Sequence, residues 1–367
     1  MLAGKRTASG KVKRNRMIVT RTPLRISFFG GGTDYPVWYR EHGGAVLSTT
    51  IDKCCYITCR YLPPFFEYHS RVSYSKVENV SSNSQVEHPS VRACLQFMGI
   101  NEGVEVHHVA DLPARTGLGT SSAFTVGLLL GLYGLKNQMR DKRALAADAI
   151  HVEQDLLQEA VGAQDQVSAA YGGFNRITFN PNGAIEVNRI LADPSRIAEL
   201  QEHFALFFTG FSRTASEVAK EQIRLTPQRQ RELELMSQMV DEAENIVVSP
   251  TRSLDEFGRL LNEGWKLKRS LTQSISNKNI DEIYEAGMSA GALGGKLLGA
   301  GGGGFMLFFV PPECRQALRS RLKHLLCVPF GFSNRGSDVV VYEPEEMYAE
   351  ALTAERSAIY GQRGSAG

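Results

Sequence analysis

One stretch, residues 112–123, constrains the fold of this chain more than any other. The preceding segment, Val104–Ala110, has the composition of a short strand, and the apolar run 123–135 that follows is long enough for a buried helix. Gly117 and Gly119 lack a Cβ, so the backbone there can approach a ligand closely. The order strand, glycine loop, helix predicts a phosphate site, because free amides at a helix start attract anions. A Ser/Thr-capped helix after a glycine-rich loop, with no ligand, is the alternative.

Length and composition narrow the class of protein. The 367 residues can hold one large domain or two lobes, and 43% hydrophobic with 22% charged residues is ordinary for a globular chain. A net charge of +2 gives no general reason to expect nucleic acid or a membrane as a partner. No apolar run approaches the roughly 20 residues of a membrane span and no signal-peptide pattern is present, so we expect a cytoplasmic protein. The six cysteines are too sparse for a disulfide scaffold and lack zinc-site spacing.

The chain divides into four segments by composition. Residues 1–16 hold six lysines and arginines and no apolar face, which predicts an unstructured basic tail; contact with nucleic acid or anionic lipid is the alternative. We expect residues 17–195 and 196–345 to form two lobes, because the stretch near 181–195 has the composition of a seam. Residues 346–367 form a polar end.

A second glycine loop follows the first predicted strand, residues 17–29. Three successive glycines precede Thr33 and Asp34 and predict a tight, exposed loop. Asp34 is a short carboxylate between rigid neighbours, which suits hydrogen bonding to sugar hydroxyls, although a turn residue needs no such role. The β-rich residues 44–61 are predicted to be a hairpin partner of the first strand.

Two acidic residues, Glu153 and Asp165, stand in a region rich in small and helix-favouring residues. The composition of 141–160 predicts a helix. If that helix continues, the two carboxylates are about three turns apart, but Gly162 is a candidate for a break. Asp165 lies between small residues, which leave room for a substrate beside its carboxylate.

The second half of the chain holds a basic segment and another glycine cluster. Lys266 and Lys268 lie beside a tryptophan, and they fit either the C-terminal end of a helix or a site for a second phosphate. Residues 299–304 include five glycines, but the helix-like 280–298 precedes them and a strand follows, the wrong order for a dinucleotide site. So many glycines indicate a loop pressed against a phosphate or against the neighbouring lobe.

Three stretches, residues 23–35, 112–123 and 296–305, resemble the three motifs of the GHMP small-molecule kinases, in the same order. The resemblance implies an α+β fold with two lobes. The N-terminal lobe would be α/β and carry the strand–glycine loop–helix unit, and the C-terminal lobe would be ferredoxin-like.

Within this superfamily the chain is most similar to the D-glycero-D-manno-heptose 7-phosphate kinases. The similarity lies in residues 25–35 and 264–276. The galactokinase pattern Gly-Glu-His-Thr-Asp-Tyr is broken, because Gly31 and Gly32 stand where galactokinases have Glu and His. Small residues there leave room for a different or bulkier sugar.

The resemblance implies ATP and Mg²⁺, with transfer of the γ-phosphoryl group to a sugar hydroxyl. For a heptose 7-phosphate the acceptor would be the anomeric hydroxyl, and the 1,7-bisphosphate product would feed nucleotide-activated heptose synthesis. Asp165 matches the family's general base, and Arg25 would lie beside the transferred phosphoryl group or that base. Ser122 (or Ser121) and Glu153 match the magnesium ligands, and no Walker lysine follows the loop to neutralise the phosphates.

The remaining implied contacts fall into three groups. Those to ATP are Arg115, Gly117, Leu118, Gly119, Thr120, Ser121 and Ser122. Those to the sugar are Gly31, Gly32, Thr33, Asp34, Tyr35, Gly301 and Gly302. Candidates for the distal phosphate are Arg213, Lys266 and Lys268. The expected partners are a sugar phosphate and ATP, without nucleic acid or membrane, and the chain would be a monomer or homodimer. A kinase for a fucose- or galactose-type sugar, or a non-catalytic sensor of sugar and nucleotide, is the alternative.

Overall fold

The chain forms thirteen strands and eleven α-helices within the residues that the structure describes. The computed structural model describes residues 17–63, 65–210 and 215–342, so both predicted tails and Arg213 lie outside the described residues. The first elements are β1 (Met17–Phe29), α1 (Pro36–His42), β2 (Gly44–Tyr61), β3 (Ser70–Ser73), β4 (Val77–Val80), α2 (Pro89–Phe97), β5 (Val104–Ala110), α3 (Thr120–Leu135), α4 (Lys142–Ile150), α5 (Gln164–Tyr171), β6 (Phe174–Phe179) and β7 (Ile185–Arg189). The later ones are α6 (Pro194–Glu202), β8 (Phe204–Gly210), α7 (Ala215–Leu225), α8 (Gln230–Val248), α9 (Asp255–Leu271), α10 (Lys278–Ser289), β9 (Gly294–Leu297), β10 (Gly304–Phe309), α11 (Arg315–Arg321), β11 (Leu326–Val328), β12 (Phe332–Ser333) and β13 (Asp338–Tyr342).

The hairpin of β1 and β2 lies at the centre of a nine-stranded sheet. Six strands follow the order β13-β1-β2-β5-β3-β4; β6 and β12 also pair with β2, and β7 pairs with β6. β2 pairs with β1 along one edge, and its other edge is shared by β6 and β5. The register between β1 and β2 shifts between Pro23 and Arg25 and again between Ser27 and Phe29. Such irregularities bend a strand and redirect its side chains. Both irregularities lie in the second half of β1, which leads into the loop 30–35.

A second, four-stranded antiparallel sheet has the order β11-β8-β10-β9 and belongs to the later part of the chain. The last two strands do not join it. β12 pairs with β2 and β13 pairs with β1, so residues 332–342 lie in the first sheet although sequence placed all of 196–345 in the second lobe. Alternating apolar residues identify a strand, but they do not specify which distant edge completes its hydrogen bonds.

Helix α3 is buried against the centre of the large sheet. It is apolar on nearly every side, as the run 123–135 predicted, and begins three residues earlier at Thr120. Three glycines on one face bring it close to β1 and β2: a Cβ at Gly127 would lie 2.6 Å from Thr22 Oγ1, and one at Gly131 would lie 2.5 Å from Cys59 Sγ. Within the described ranges, no helix combines the length and the apolar character that crossing a bilayer requires.

Two predicted helices end earlier than expected. The segment 141–160 forms α4, and then one turn of π-helix at residues 151–156, and the chain leaves the helix before α5 begins at Gln164. Glu153 and Asp165 therefore do not share a continuous helix. The segment 280–298 was wrongly expected to be helical throughout, because α10 ends at Ser289 and glycines then lead into β9. The glycine cluster 299–303 consequently joins two antiparallel strands, β9 and β10.

Candidate active site

A cavity of about 1460 Å³ lies between the two sheets and takes side chains from both parts of the chain. Its walls include the loop after β1, the loop before α3, the start of α5, helices α7 and α9, and the strand β9. A site for one drug-sized ligand typically measures about 300–1,000 Å³. The cavity is therefore large enough for two substrates side by side.

The loop before α3 has the geometry of an anion site. Arg115, Gly117 and Gly119 have φ values of 61°, 86° and 72°, so the backbone turns tightly three times within five residues. Gly119 is the N-cap of α3, and no side chain caps the first helical amides. Thr120 and Ser121 line the cavity at this helix start. Amides of this kind, at the positive end of a helix dipole, are suited to a polyphosphate.

Two residues predicted to contact ATP lie behind this loop. Leu118 is fully buried, and its carbonyl oxygen accepts a 3.0 Å hydrogen bond from the Arg25 amide. Ser122 is also buried and hydrogen-bonds Glu153 instead of facing the cavity. Both residues hold the loop in place.

The loop before α3 and the glycine cluster 299–304 press against each other, backbone to backbone. A Cβ on Gly117 would lie 2.3 Å from Leu298 O, and one on Gly299 would lie 2.4 Å from Gly117 Cα. Thr116 O would lie 2.4 Å from a Cβ on Gly304. Of the two interpretations of the residues 299–304, the contact with the neighbouring lobe is the one that these distances support.

Arg25 and Asp165 form a bidentate ion pair at the centre of the site. Arg25 Nε donates to Asp165 Oδ1 at 2.7 Å, and Nη2 donates to Oδ2 at 2.8 Å. The third nitrogen, Nη1, donates to Gly117 O at 2.6 Å. One guanidinium thus fixes the carboxylate relative to the phosphate loop, a task that its planar fork suits better than an ammonium. The Asp165 side chain keeps 23% of its surface exposed to the cavity.

Asp34 connects the second glycine loop to the helix that carries Asp165. Its carboxylate accepts from the Gly32 amide at 3.0 Å and from the Gln164 amide, at the start of α5, at 3.3 Å. Gly162 makes this approach possible, since a Cβ there would lie 1.8 Å from Asp34 Oδ2. Burial raises the pKa of Asp34, and the charge of Asp165 raises it further, whereas the amide hydrogen bonds lower it.

The loop 30–35 supplies both support and cavity wall. Thr33 is buried, and its hydroxyl oxygen lies 2.8 Å from Gly30 O and 2.9 Å from Ala45 O, so it supports the loop and does not face the cavity. The predicted sugar contacts that line the cavity are Gly31, Gly32, Asp34 and Tyr35.

Around Gly31 the cavity holds polar groups that sequence did not identify. A Cβ on Gly31 would stand 3.7 Å from both Ser27 Oγ and Gln164 Nε2. Both of these residues line the cavity, and within the described part of the chain Ser27 Oγ and Gln164 Oε1 are buried without a hydrogen-bond partner. Unpaired buried polar atoms are costly, so a hydroxylated ligand that pairs with them is favoured here.

Ser122 and Glu153 meet as predicted, on α3 and on the π-helical turn. Ser122 Oγ donates to Glu153 Oε2 at 2.8 Å, and Gln166 donates to the same oxygen. Burial raises the pKa of Glu153 to about 7. Within residues 17–342 as described, Glu153 Oε1 has no hydrogen-bond partner. Neither Ser122 nor Glu153 lines the cavity, but a hydroxyl, a carboxylate and an unsatisfied oxygen are ligands of the kind that Mg²⁺ takes.

The predicted sites for a distal phosphate lie in different surroundings. Lys266 is on the exposed face of α9, where it pairs with Glu263 at 2.7 Å and does not line the cavity. Lys268 is buried and does line it. Gly301 and Gly302 pack on Ile275 instead of bordering the cavity.

Sequence reasoning missed an aromatic end of the cavity and one lysine. His88 stacks on Phe124 at 4.8 Å, and Tyr74 and His108 contact the same pair edge-on. These residues come from four separate elements, so no local pattern unites them. Lys296 also lines the cavity. The available signal was a single lysine in the buried strand β9, three residues before Gly299.

The sequence matches two family models. Residues 88–173 match the GHMP kinases N terminal domain, and residues 239–325 match the GHMP kinases C terminal domain. These ranges contain the phosphate loop, Asp165, α9 and the third glycine loop, that is, most of the cavity described above.

Individual proteins extend the similarity over most of the chain. The D-glycero-alpha-D-manno-heptose 7-phosphate kinase of Campylobacter jejuni is 30% identical, over 84% of this chain and 94% of that protein. The bifunctional fucokinase/GDP-fucose pyrophosphorylase of Arabidopsis thaliana is 27% identical, over 85% of this chain and 32% of that longer protein. A solved D-glycero-D-manno-heptose 1-phosphate kinase from Bacteroides thetaiotaomicron has the same fold, with a TM-score of 0.71, 23% identity, and coverage of 89% of this chain and 100% of that one.

These similarities confirm the predicted α+β fold with two lobes and the predicted family. ATP is the phosphoryl donor throughout a family that contains sugar kinases and mevalonate kinases. The chain belongs to the GHMP kinases, and within them it is an ATP-dependent sugar kinase.

Proposed function

We propose that this protein transfers the γ-phosphoryl group of ATP to the anomeric hydroxyl of D-glycero-D-manno-heptose 7-phosphate. The product would be the 1,7-bisphosphate, an intermediate on the way to nucleotide-activated heptose. One observation carries the chemistry: the Asp165 carboxylate faces the cavity while Arg25 ties it to Gly117 of the phosphate loop. The choice of sugar is supported by the Campylobacter jejuni relative, whose name gives this substrate.

Asp165 is placed to accept the proton of the attacking hydroxyl. Each carboxylate oxygen uses one lone pair on Arg25 and keeps another for the substrate. The bidentate guanidinium fixes the orientation of the carboxylate. A loose phosphoryl transition state needs alignment more than a strong base, and general-base help of this type contributes about 10²–10⁴-fold.

The loop and helix start hold the nucleotide in this proposal. The amides at the start of α3 and the backbone around Gly117 and Gly119 would bind the polyphosphate, next to the Arg25 guanidinium. The stacked rings of His88 and Phe124, with Tyr74 edge-on against His88, line the cavity and would contact the base. Contact between the two glycine loops would exclude water from one side of the reacting groups.

Ser122 and Glu153 would hold Mg²⁺, which supplies charge neutralisation for the phosphates when it is bound. The unpaired Oε1 of Glu153 supports this assignment. Gln166 orients the same carboxylate through its amide. Glu153 would have to be ionised to hold the ion, and its raised pKa would couple metal binding to proton release.

The acceptor would lie over Gly31, between the loop 30–35 and α5. Ser27 Oγ and the Gln164 amide are available to its hydroxyls, and Asp34 borders the same space. Because residues 31 and 32 carry no side chain, a seven-carbon sugar would find more room here than where Glu and His project inward.

A coupled assay of ADP release over a panel of sugars tests the proposal. The panel contains heptose 7-phosphate, unphosphorylated heptose, fucose and galactose, and Asp165→Asn serves as the catalytically impaired control. We expect kcat/KM to be greatest for heptose 7-phosphate, with an anomeric phosphate in the product by ³¹P NMR. Preference for an unphosphorylated sugar would refute the proposed substrate. Tight ATP binding without ADP release from any sugar would instead support a sensor.

A further inference from the structure

Two buried lysines from different elements meet at the floor of the cavity. Lys268 on α9 and Lys296 on β9 each expose 7% of their surface, and both line the cavity. Lys268 Nζ donates to Leu297 O at 3.1 Å and also to Gly299 O. Lys296 Nζ donates to Ser27 O at 2.9 Å and to Phe28 O at 2.8 Å. Each ammonium has three donors, so each keeps one after these contacts.

In the described part of the chain, no ion pair balances these two charges. Within the described residues, neither ammonium forms an ion pair, and the carboxylate of Asp165 is already engaged by Arg25. Burial and the charge of Arg25, partly offset by the charge of Asp34, together lower the pKa of Lys268 to about 7. Burial, followed by the charges of Lys268 and Arg25, also lowers the pKa of Lys296. A cluster of buried cations is costly unless an anion completes it.

The position of the lysines points to the acceptor instead of ATP. Lys296 is hydrogen-bonded to β1 immediately before the loop 30–35, through Ser27 O. The unpaired Ser27 Oγ borders the Gly31 space, where the acceptor is proposed to bind. The amides at the start of α3 already provide for the nucleotide phosphates.

We propose that Lys268 and Lys296, together with the Ser27 hydroxyl, form a second anion subsite that binds the phosphate group of a sugar phosphate. This assignment rests on the proposed function. It adds Lys296 and Ser27 to the contacts of the distal phosphate and removes Lys266 from them. The subsite makes the enzyme select phosphorylated acceptors, because an uncharged sugar leaves the cations unpaired.

The subsite has a thermodynamic signature that does not depend on turnover. An ammonium whose pKa lies near 7 is only partly protonated in the empty cavity at pH 8, whereas a bound phosphate dianion favours its charged form. Binding of heptose 7-phosphate should therefore take up a fraction of a proton at pH 8. Calorimetry in two buffers of different ionisation enthalpy measures this uptake on the parent enzyme, and a value of zero would overturn the proposal.

Kinetics of Lys268→Met, with Lys266→Met as a matched control on the same helix, test the residue assignment. Loss of a charge-assisted hydrogen bond should raise KM for heptose 7-phosphate by about 10–100-fold. The KM values for ATP and for unphosphorylated heptose should change far less, and Lys266→Met should behave as the parent. An equal rise in KM for ATP would overturn the proposal. Lys268→Gln, which retains a donor to Leu297 O, covers the case in which the methionine variant does not fold.

Failure of the subsite and failure of the proposed substrate give different results. Inorganic phosphate is the probe for the subsite alone, with calorimetry on the parent and on Lys268→Gln. Phosphate binding that weakens in Lys268→Gln supports the subsite even if heptose 7-phosphate is not the acceptor. Turnover of heptose 7-phosphate with unchanged KM in Lys268→Gln overturns the subsite and leaves the proposed function intact.

Discussion

The contact between the glycine loops is the feature that a single methyl group should disrupt most selectively. Gly299 has a φ of +75°, and a Cβ added there would lie 2.4 Å from Gly117 Cα. Ordinary contact begins at 3.4 Å, so in Gly299→Ala the two loops must separate by about 1 Å. The left-handed backbone adds strain of about 1–2 kcal/mol in alanine. A shift of Gly117 also pulls on its carbonyl oxygen's hydrogen bond from Arg25, and Arg25 holds the Asp165 carboxylate, so the base loses its alignment.

A misplacement of about 1 Å costs an enzyme roughly 10²-fold in rate. That factor corresponds to about 2.7 kcal/mol in activation free energy. We therefore expect Gly299→Ala to lower kcat/KM about 100-fold in the ADP-release assay. Gly183→Ala is the control, since Gly183 has a φ of +86° and no atom of the described residues lies within 4 Å of its added Cβ. It should lower the free energy of unfolding in urea by about 1–2 kcal/mol while kcat/KM stays at the parental value. Activity of Gly299→Ala within threefold of this control would refute the reasoning.

Three further outcomes are expected. Arg25→Lys should lower kcat by roughly 100-fold in steady-state assays, because an ammonium cannot hold both Asp165 oxygens and Gly117 O; unchanged kcat would contradict this. Gly31→Ala should raise KM for the sugar without lowering the melting temperature, because its Cβ meets neighbours only at 3.7 Å. Glu153 has a pKa raised from 4.5 to about 7, so its folded form binds more protons than its unfolded form in that interval. Metal-free enzyme should therefore lose stability as pH rises from about 4.5 to 7, and thermal melts of Glu153→Gln should show a smaller loss.

Much of the fold was predictable where one sequence period persists. The boundaries of β1, and those of β2 at residues 44–61, agree with the alternation of apolar residues, and α3 agrees with its long apolar run. The turn after α4 and the strand β9 were not predictable from the sequence. Both segments have a helix-favouring composition, and composition alone does not show where the chain leaves a helix. There, tertiary packing overrides local preference.

The site was predictable in part, and for a physical reason. The motifs identified Arg25 and Asp165, but their ion pair joins residues 140 positions apart and no local pattern encodes it. The same holds for Lys296, whose partners on β1 are 268 and 269 residues away. Arg213, predicted to contact the distal phosphate, lies outside the described residues and stays a prediction.

The pairing of the last described strand, β13, with β1 affects how the chain folds during synthesis. β13 pairs with β1 at Ile18–Tyr342, and the Thr22 and Ser337 hydroxyls, 315 residues apart, share a hydrogen bond. At about 5–20 residues per second, a ribosome needs on the order of 15–60 s to synthesise that interval. During this time one edge of β1 is without its partner, and exposed edges invite aggregation. Nascent chains arrested before residue 338 should therefore depend on chaperones more than completed ones.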